Sequence, residues 1–229
     1  IIACKTGLTF ALLTRYSFGS TGSKAASIFV PVVNLGWYTI QAATYGHFVA
    51  QVFHMGQVGE GICMAVSAIV MGIFAMGGIG AITILGYIAI PAIVFLSIAT
   101  AIRSLGVIGG MEALFAYVPS SDMPLFTGIT AVIGTWVLST ATCIADIMRY
   151  AKDTKAAVSA TLTGLLGGNI LMIVCGAIAA IAMQNSDLTV ILLGFGLVIP
   201  SLILMTTNIF TTNAANLYST SLNLSNAFK

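Results

Sequence analysis

EGICMAVSAIVMGIFAMGGIGAITILGYIAIPAIVFLSIATAI, residues 60–102, carries Glu60 and no other charge. A membrane span needs about 20 mostly apolar residues. This stretch holds two, 60–78 and 81–102, joined by a tight turn at Gly77, Gly78 and Gly80. Lipid cannot hydrogen-bond a backbone, so spanning segments must be helices or closed barrels. Barrel strands read as roughly ten-residue stretches of alternating polarity. These runs are too long and too evenly apolar for that, and helices are expected.

Similar runs lie on either side, at roughly 26–53, 125–146, 157–183 and 188–217, while 1–14 reads as the end of a preceding span. The 229 residues are 59% hydrophobic and 6% charged. Soluble domains carry about 25% charged residues, so a water-facing surface cannot be assembled from this chain. A net charge of +2 without a basic cluster excludes nucleic acid as a partner. Cys4, Cys63, Cys143 and Cys175 all sit in apolar runs without metal-ligand or CxxC spacing, and read as small hydrophobes. No enzyme motif of the GxSxG, HExxH or Walker type occurs, so no catalytic activity and no cofactor are expected. The chain starts without Met and shows no signal peptide, and it is expected to be an internal piece of a longer transporter.

Charge decides the orientation. Alternating spans put Arg15, Lys24, Arg149, Lys152, Lys155 and Lys229 on one side and Arg103 on the other, with Glu60, Glu112, Asp122 and Asp187. By the positive-inside rule the 15–24 and 147–156 loops are cytoplasmic. Residues 104–124 then form an external loop, with room for a short surface helix. His47 and His54, seven residues apart near an outer span end, read as interfacial side chains rather than metal ligands.

Three spans carry polar groups at depth. Residues 34–45 read NLGWYTIQAATY, with Asn34, Trp37 and Gln41 on one helical face. Residues 134–142 read GTWVLSTAT and residues 206–216 read TTNIFTTNAAN. Amides in hydrocarbon are costly, so these groups should face protein or a wet cavity. Singly, each suits helix–helix glue at about 0.6 kcal/mol per bond. Together, two mid-span indoles and several carboxamides suit a neutral planar heterocycle, which indoles stack on and carboxamides read edge-on. The adjacent hydroxyls of Thr211 and Thr212 suit a hard cation such as sodium. Capping of helix carbonyls competes as an explanation for that pair. TIQAAT (39–44) and TTNAAN (211–216) echo each other faintly, as inverted-repeat transporters do.

Four pieces resemble the nucleobase–cation symporter family, in its bacterial cytosine permease branch: KTGLTFALLTRYSFGSTGS (5–23), NLGWYTIQ (34–41), IADIMRYAKDTKAAV (144–158) and NIFTTNAANLYSTSL (208–222). The resemblance implies an all-α, polytopic, multi-pass protein of the bacterial plasma membrane. It also implies the leucine-transporter fold of two inverted five-helix repeats. This chain would supply the end of helix 2 and helices 3 to 8 of one transporter domain, with helix 1 and the helices after helix 8 missing. It implies that Trp37 stacks on the base, that Trp136 closes the other ring face, and that Thr135 and Ser139 add hydrogen bonds. Asn208 would bind the base and, with Thr211 and Thr212, the sodium ion. Asn34 stands where the cytosine permease has Gln, and Gln41 matches a substrate-contacting Gln of the hydantoin-transporting relative. Cytosine is therefore the first expectation, with purine, uracil, allantoin or hydantoin as alternatives. The function implied is import of such a base with sodium by alternating access. A channel would show polarity along whole spans instead. An amino-acid transporter of the same fold would have no need of paired indoles.

Overall fold

The computed structural model describes residues 1–119, 123–134 and 138–228, the side chains of Leu138, Ser139, Leu188 and Thr189 excepted. Every regular element among them is a helix. The protein is all-α, as expected, but its elements differ from the anticipated spans at several boundaries.

Helix α1 (Ile2–Thr6) stops at Gly7, whose φ of 69° is left-handed backbone that glycine tolerates best. Helix α2 (Phe10–Val52) starts afresh from Thr9, whose side chain accepts from the Leu12 N–H. Residues 1–14 are thus two helical pieces rather than one span end. Nor is 15–24 an open loop: α2 runs through it and breaks only at Gly19 (φ 69°, ψ −174°). Buried hydrogen bonds stitch the break. Thr14 and Ser23 both donate to the Ala11 carbonyl at 2.8 Å, and Asn226 donates to Ser23 and Ser27 at 3.2 and 2.9 Å. Local polarity suggested a loop, and tertiary partners override it.

Helices α3 (Gln57–Ala75) and α4 (Gly78–Ile108) form the expected apolar hairpin, although α4 runs past residue 102 to end at Gly109 (φ 95°). The anticipated 104–124 loop holds the short α5 (Met111–Phe115). The fourth run is interrupted, with α6 (Leu125–Val132) on one side and α7 (Leu138–Met148) on the other. Helices α8 (Thr154–Leu162) and α9 (Asn169–Met183) join through a wide, glycine-rich π turn at Thr163–Gly168. The last run is not one span. Helix α10 (Leu188–Gly194) ends before Gly196 (φ 69°), and α11 (Val198–Ala227) extends ten residues beyond the expected end at 217. Pro200 sits in the first turn of α11, where its missing N–H costs nothing. Arg103 holds its guanidinium 4.9 Å over the Phe195 ring at the break.

Among the described residues, three rods are long and apolar enough to cross a membrane: Gln57–Ala75, Gly78–Ile108 and Thr154–Met183. The polar residues ride on α2 and α11, which run antiparallel as the most extensive helix pair. Residues 27 with 226, 38 with 213 and 45 with 206 mark the register. One half of this pair is apolar, with Ala42, Phe48, Met71, Met205 and Ile209 forming its core. There α2 and α3 approach so closely that a Cβ on Gly46 would overlap the Met64 Cα. The other half is polar and ends near Arg15 and Arg149, which bond Asn226 and Tyr218 of α11.

Candidate functional site

The antiparallel register of α2 and α11 determines which candidate residues share a flank. Tyr38 and Ala42 of α2 face Asn213 and Ile209 of α11. The residues one position earlier, Trp37 and Gln41 on α2 and Asn208 and Thr212 on α11, turn to the same side of the pair. Trp37 and Gln41 are half-buried there. The Gln41 Oε1 is enclosed without a protein partner, which leaves an acceptor to satisfy. Asn208 opens on a cavity of about 660 Å³ between α4, the π turn, α9 and α11, beside Asn169, Thr163 and Gly167. Trp37 and Gln41 lie outside the lining of that cavity.

Thr211 donates to the Thr207 carbonyl at 2.6 Å and Thr212 to the Asn208 carbonyl at 3.0 Å. Each hydroxyl proton is thus spent within the helix. The oxygens keep lone pairs directed away from it, an arrangement compatible with a hard cation. Asn34 is fully buried, and its Nδ2 donates to the Cys143 Sγ of α7 at 3.4 Å. It bridges α2 to α7 one turn before Trp37. Thr135, Trp136 and the Ser139 side chain lie outside the described residues.

Several polar groups not assigned to the site from the sequence are prominent in the structure. Asp146, near the end of α7, is fully buried. Its Oδ1 accepts from the Phe10 N–H at 2.8 Å and its Oδ2 from the Ser219 hydroxyl at 2.7 Å. The carboxylate therefore caps α2 from outside, where the helix dipole favours negative charge, and ties α7 to α11. A carboxylate closing an apolar run was the signal available in the sequence. Asn213 is fully buried and donates to the Tyr38 carbonyl at 3.3 Å and the Met71 Sδ at 3.2 Å. Arg149 and Tyr150 both bond the Tyr218 hydroxyl, at 2.9 and 2.8 Å. At the opposite end the His47 Nδ1 meets the Glu60 Oε1 at 2.7 Å, so the histidine has an acidic partner on the next helix.

The family model described as permease for cytosine/purines, uracil, thiamine, allantoin matches residues 1–229. The chain belongs to that permease family. Cytosine permeases of Escherichia coli K12, O6:H1 and O157:H7 are each 32% identical to it over 225 residues. The match takes in 98% of this chain and 53% of each relative. The chain thus spans about half the length of the curated relatives it matches. Membership in this permease family and the long apolar rods agree in marking a membrane-embedded protein.

Proposed function

We propose that the chain is part of a secondary transporter of the bacterial plasma membrane. It imports a nucleobase or related planar heterocycle, cytosine first among them, together with sodium. The match of the permease family along all 229 residues carries this reading. The base stacks between Trp37 and Trp136, with Thr135 and Ser139 beside the second indole. Asn208 and Gln41 read its edge through their carboxamides. Asn34 sets the packing beneath Trp37. Sodium binds at Thr211 and Thr212 next to Asn208, through oxygens whose protons already point into the helix. The basic end of the bundle is cytoplasmic by its charge.

Transport proceeds by alternating access, with one group of helices rocking against the other around a central site. Sodium favours the outward-open state that the base selects, so each ligand tightens the other by the same factor. The deciding experiment is binding of a panel of radiolabelled bases to the full-length protein, with and without sodium. Cytosine is expected to bind best, and more tightly with sodium. Equal affinity in both media would remove the coupling, and binding of none of the bases would remove the substrate class.

A further inference from the structure

The polar half of the α2–α11 pair has a bond that can part and a bond that cannot, and both end on Asp146. The Phe10 N–H belongs to the first turn of α2 and has no acceptor within its own helix. Charge and helix dipole both hold it to the carboxylate. Ser219 differs. A serine inside a helix can turn its hydroxyl back to the carbonyl four residues earlier, so it has a second partner within its own helix. The Asn223 Nδ2 already bonds the Ser219 carbonyl at 2.8 Å and lies 3.4 Å from its Oγ. The same stretch of α11 is short of partners. Asn216 Nδ2, Thr220 Oγ1 and Asn223 Oδ1 are buried without protein hydrogen bonds. Water entering along this stretch would satisfy all three, which lowers the cost of separating α7 from α11.

We propose that Asp146 is a positioning residue of the transport cycle, a latch at the cytoplasmic end whose bond to Ser219 must break for inward release while its bond to Phe10 persists. This rests on the transporter reading above. Asp146 touches neither base nor cation. It acts by holding the foot of α7, the helix that follows Trp136, against α2 and α11. When the latch parts, α7 pivots on the start of α2, and the cleft that opens exposes the face of α7 carrying Cys143. That thiol lies one turn before Asp146, is 7% exposed, and rests against Asn34.

Cys143 is therefore a built-in reporter. The full-length transporter, with every other cysteine replaced by serine, is labelled by a small maleimide in inside-out vesicles. Ser219→Ala is expected to label about tenfold faster, the factor for one lost charge-assisted bond. Ser219→Thr, which restores the hydroxyl, should return to the parent rate. Asp146→Asn keeps an oxygen for Phe10 and an amide for Ser219, and should fall between. Ser219→Ala should lower the thermal unfolding midpoint slightly, and its maximal uptake rate per folded transporter should still change, a difference that a merely structural bond would not give. Labelling of Ser219→Ala at the parent rate overturns the latch. The labelling needs no substrate, so a failure of base binding, measured separately on the wild type, would count against the transporter reading alone.

Discussion

The α2–α11 pair is built from two unlike halves. Towards the end that carries His47 and Glu60, Ala42, Phe48, Met205 and Ile209 interlock. Tyr45 and Phe210 meet edge to face there with centroids 5.6 Å apart. Towards the basic end, Ser23, Ser27, Asn226, Asp146 and Ser219 are equally buried but joined by hydrogen bonds. Apolar surfaces gain little by meeting each other in lipid, so the first half is held by fit, and fit has no second arrangement of similar energy. Hydrogen bonds can be exchanged for bonds to water or to the helix itself. On the latch proposal, the first half is the fixed part of the pair and the second is a joint.

The largest effect is expected where fit is tightest. A Cβ on Gly46 would overlap the Met64 backbone, which cannot move as a side chain can. Gly46→Val should destabilise the protein by about 3 kcal/mol or more, measured as loss of folded protein in detergent on heating. A folded Gly46→Val protein of normal stability would mean that α2 and α3 are not locked together.

Asn226 tests the joint. It takes a bond from Arg15 at 2.6 Å and gives bonds to Ser23 and Ser27. Asn226→Ala takes the donor from the fully buried Ser23 and Ser27 hydroxyls and should cost about 2 kcal/mol. The loss should be smaller than at Gly46 and confined to the basic end. Hydrogen exchange should rise in residues 10–27 and 219–227 and stay unchanged around Phe48. Uniform loosening of both halves would dissolve the distinction between them.

This division explains what could be read in advance. Helical class followed from residues 60–102 alone, because lipid leaves the backbone no alternative. The flank shared by Trp37, Gln41 and Asn208 was half legible. Spacing put Trp37 and Gln41 on one face, but only the register with α11 turned Asn208 to the same side of the pair, where the cavity it lines does not include them. The joint was not legible. Its partners are far apart in sequence: Asp146 meets Phe10 from 136 residues away, and Arg15 meets Asn226 from 211. Segment 15–24 looked like a loop because its serines and threonines show no local partner. The break in 188–217 was missed because Gly194 and Gly196 sit within an apolar run that reads as continuous.

A smaller effect sharpens the apolar half. Tyr45 and Thr206 share a hydroxyl bond of 2.8 Å inside it. If fit dominates there, Tyr45→Phe keeps the ring and should cost only about 0.6 kcal/mol, the average for a bond between membrane helices. Tyr45→Ala should cost several times more, since the edge-to-face contact with Phe210 goes with it. Similar losses in the two variants would make the hydroxyl, not the ring, the adhesive.

The smallest effect belongs to His47 and Glu60, a polar contact at the rim of the apolar half. Their side chains are 46% and 32% exposed, so water competes for both and salt screens them. Gln51 holds the other imidazole nitrogen at 2.7 Å, which fixes the ring whether or not Glu60 is charged. Glu60→Gln keeps an acceptor for His47 and should change stability by less than about 0.5 kcal/mol. The same contact buried beside Asp146 would have no water to replace it. A double-mutant cycle of His47→Ala and Glu60→Gln reads the coupling directly. A value as large as that expected for Asn226 would mean that burial is not what separates the joint from the rim. A value near zero would leave the buried polar bonds at the basic end as those whose making and breaking carries a measurable cost.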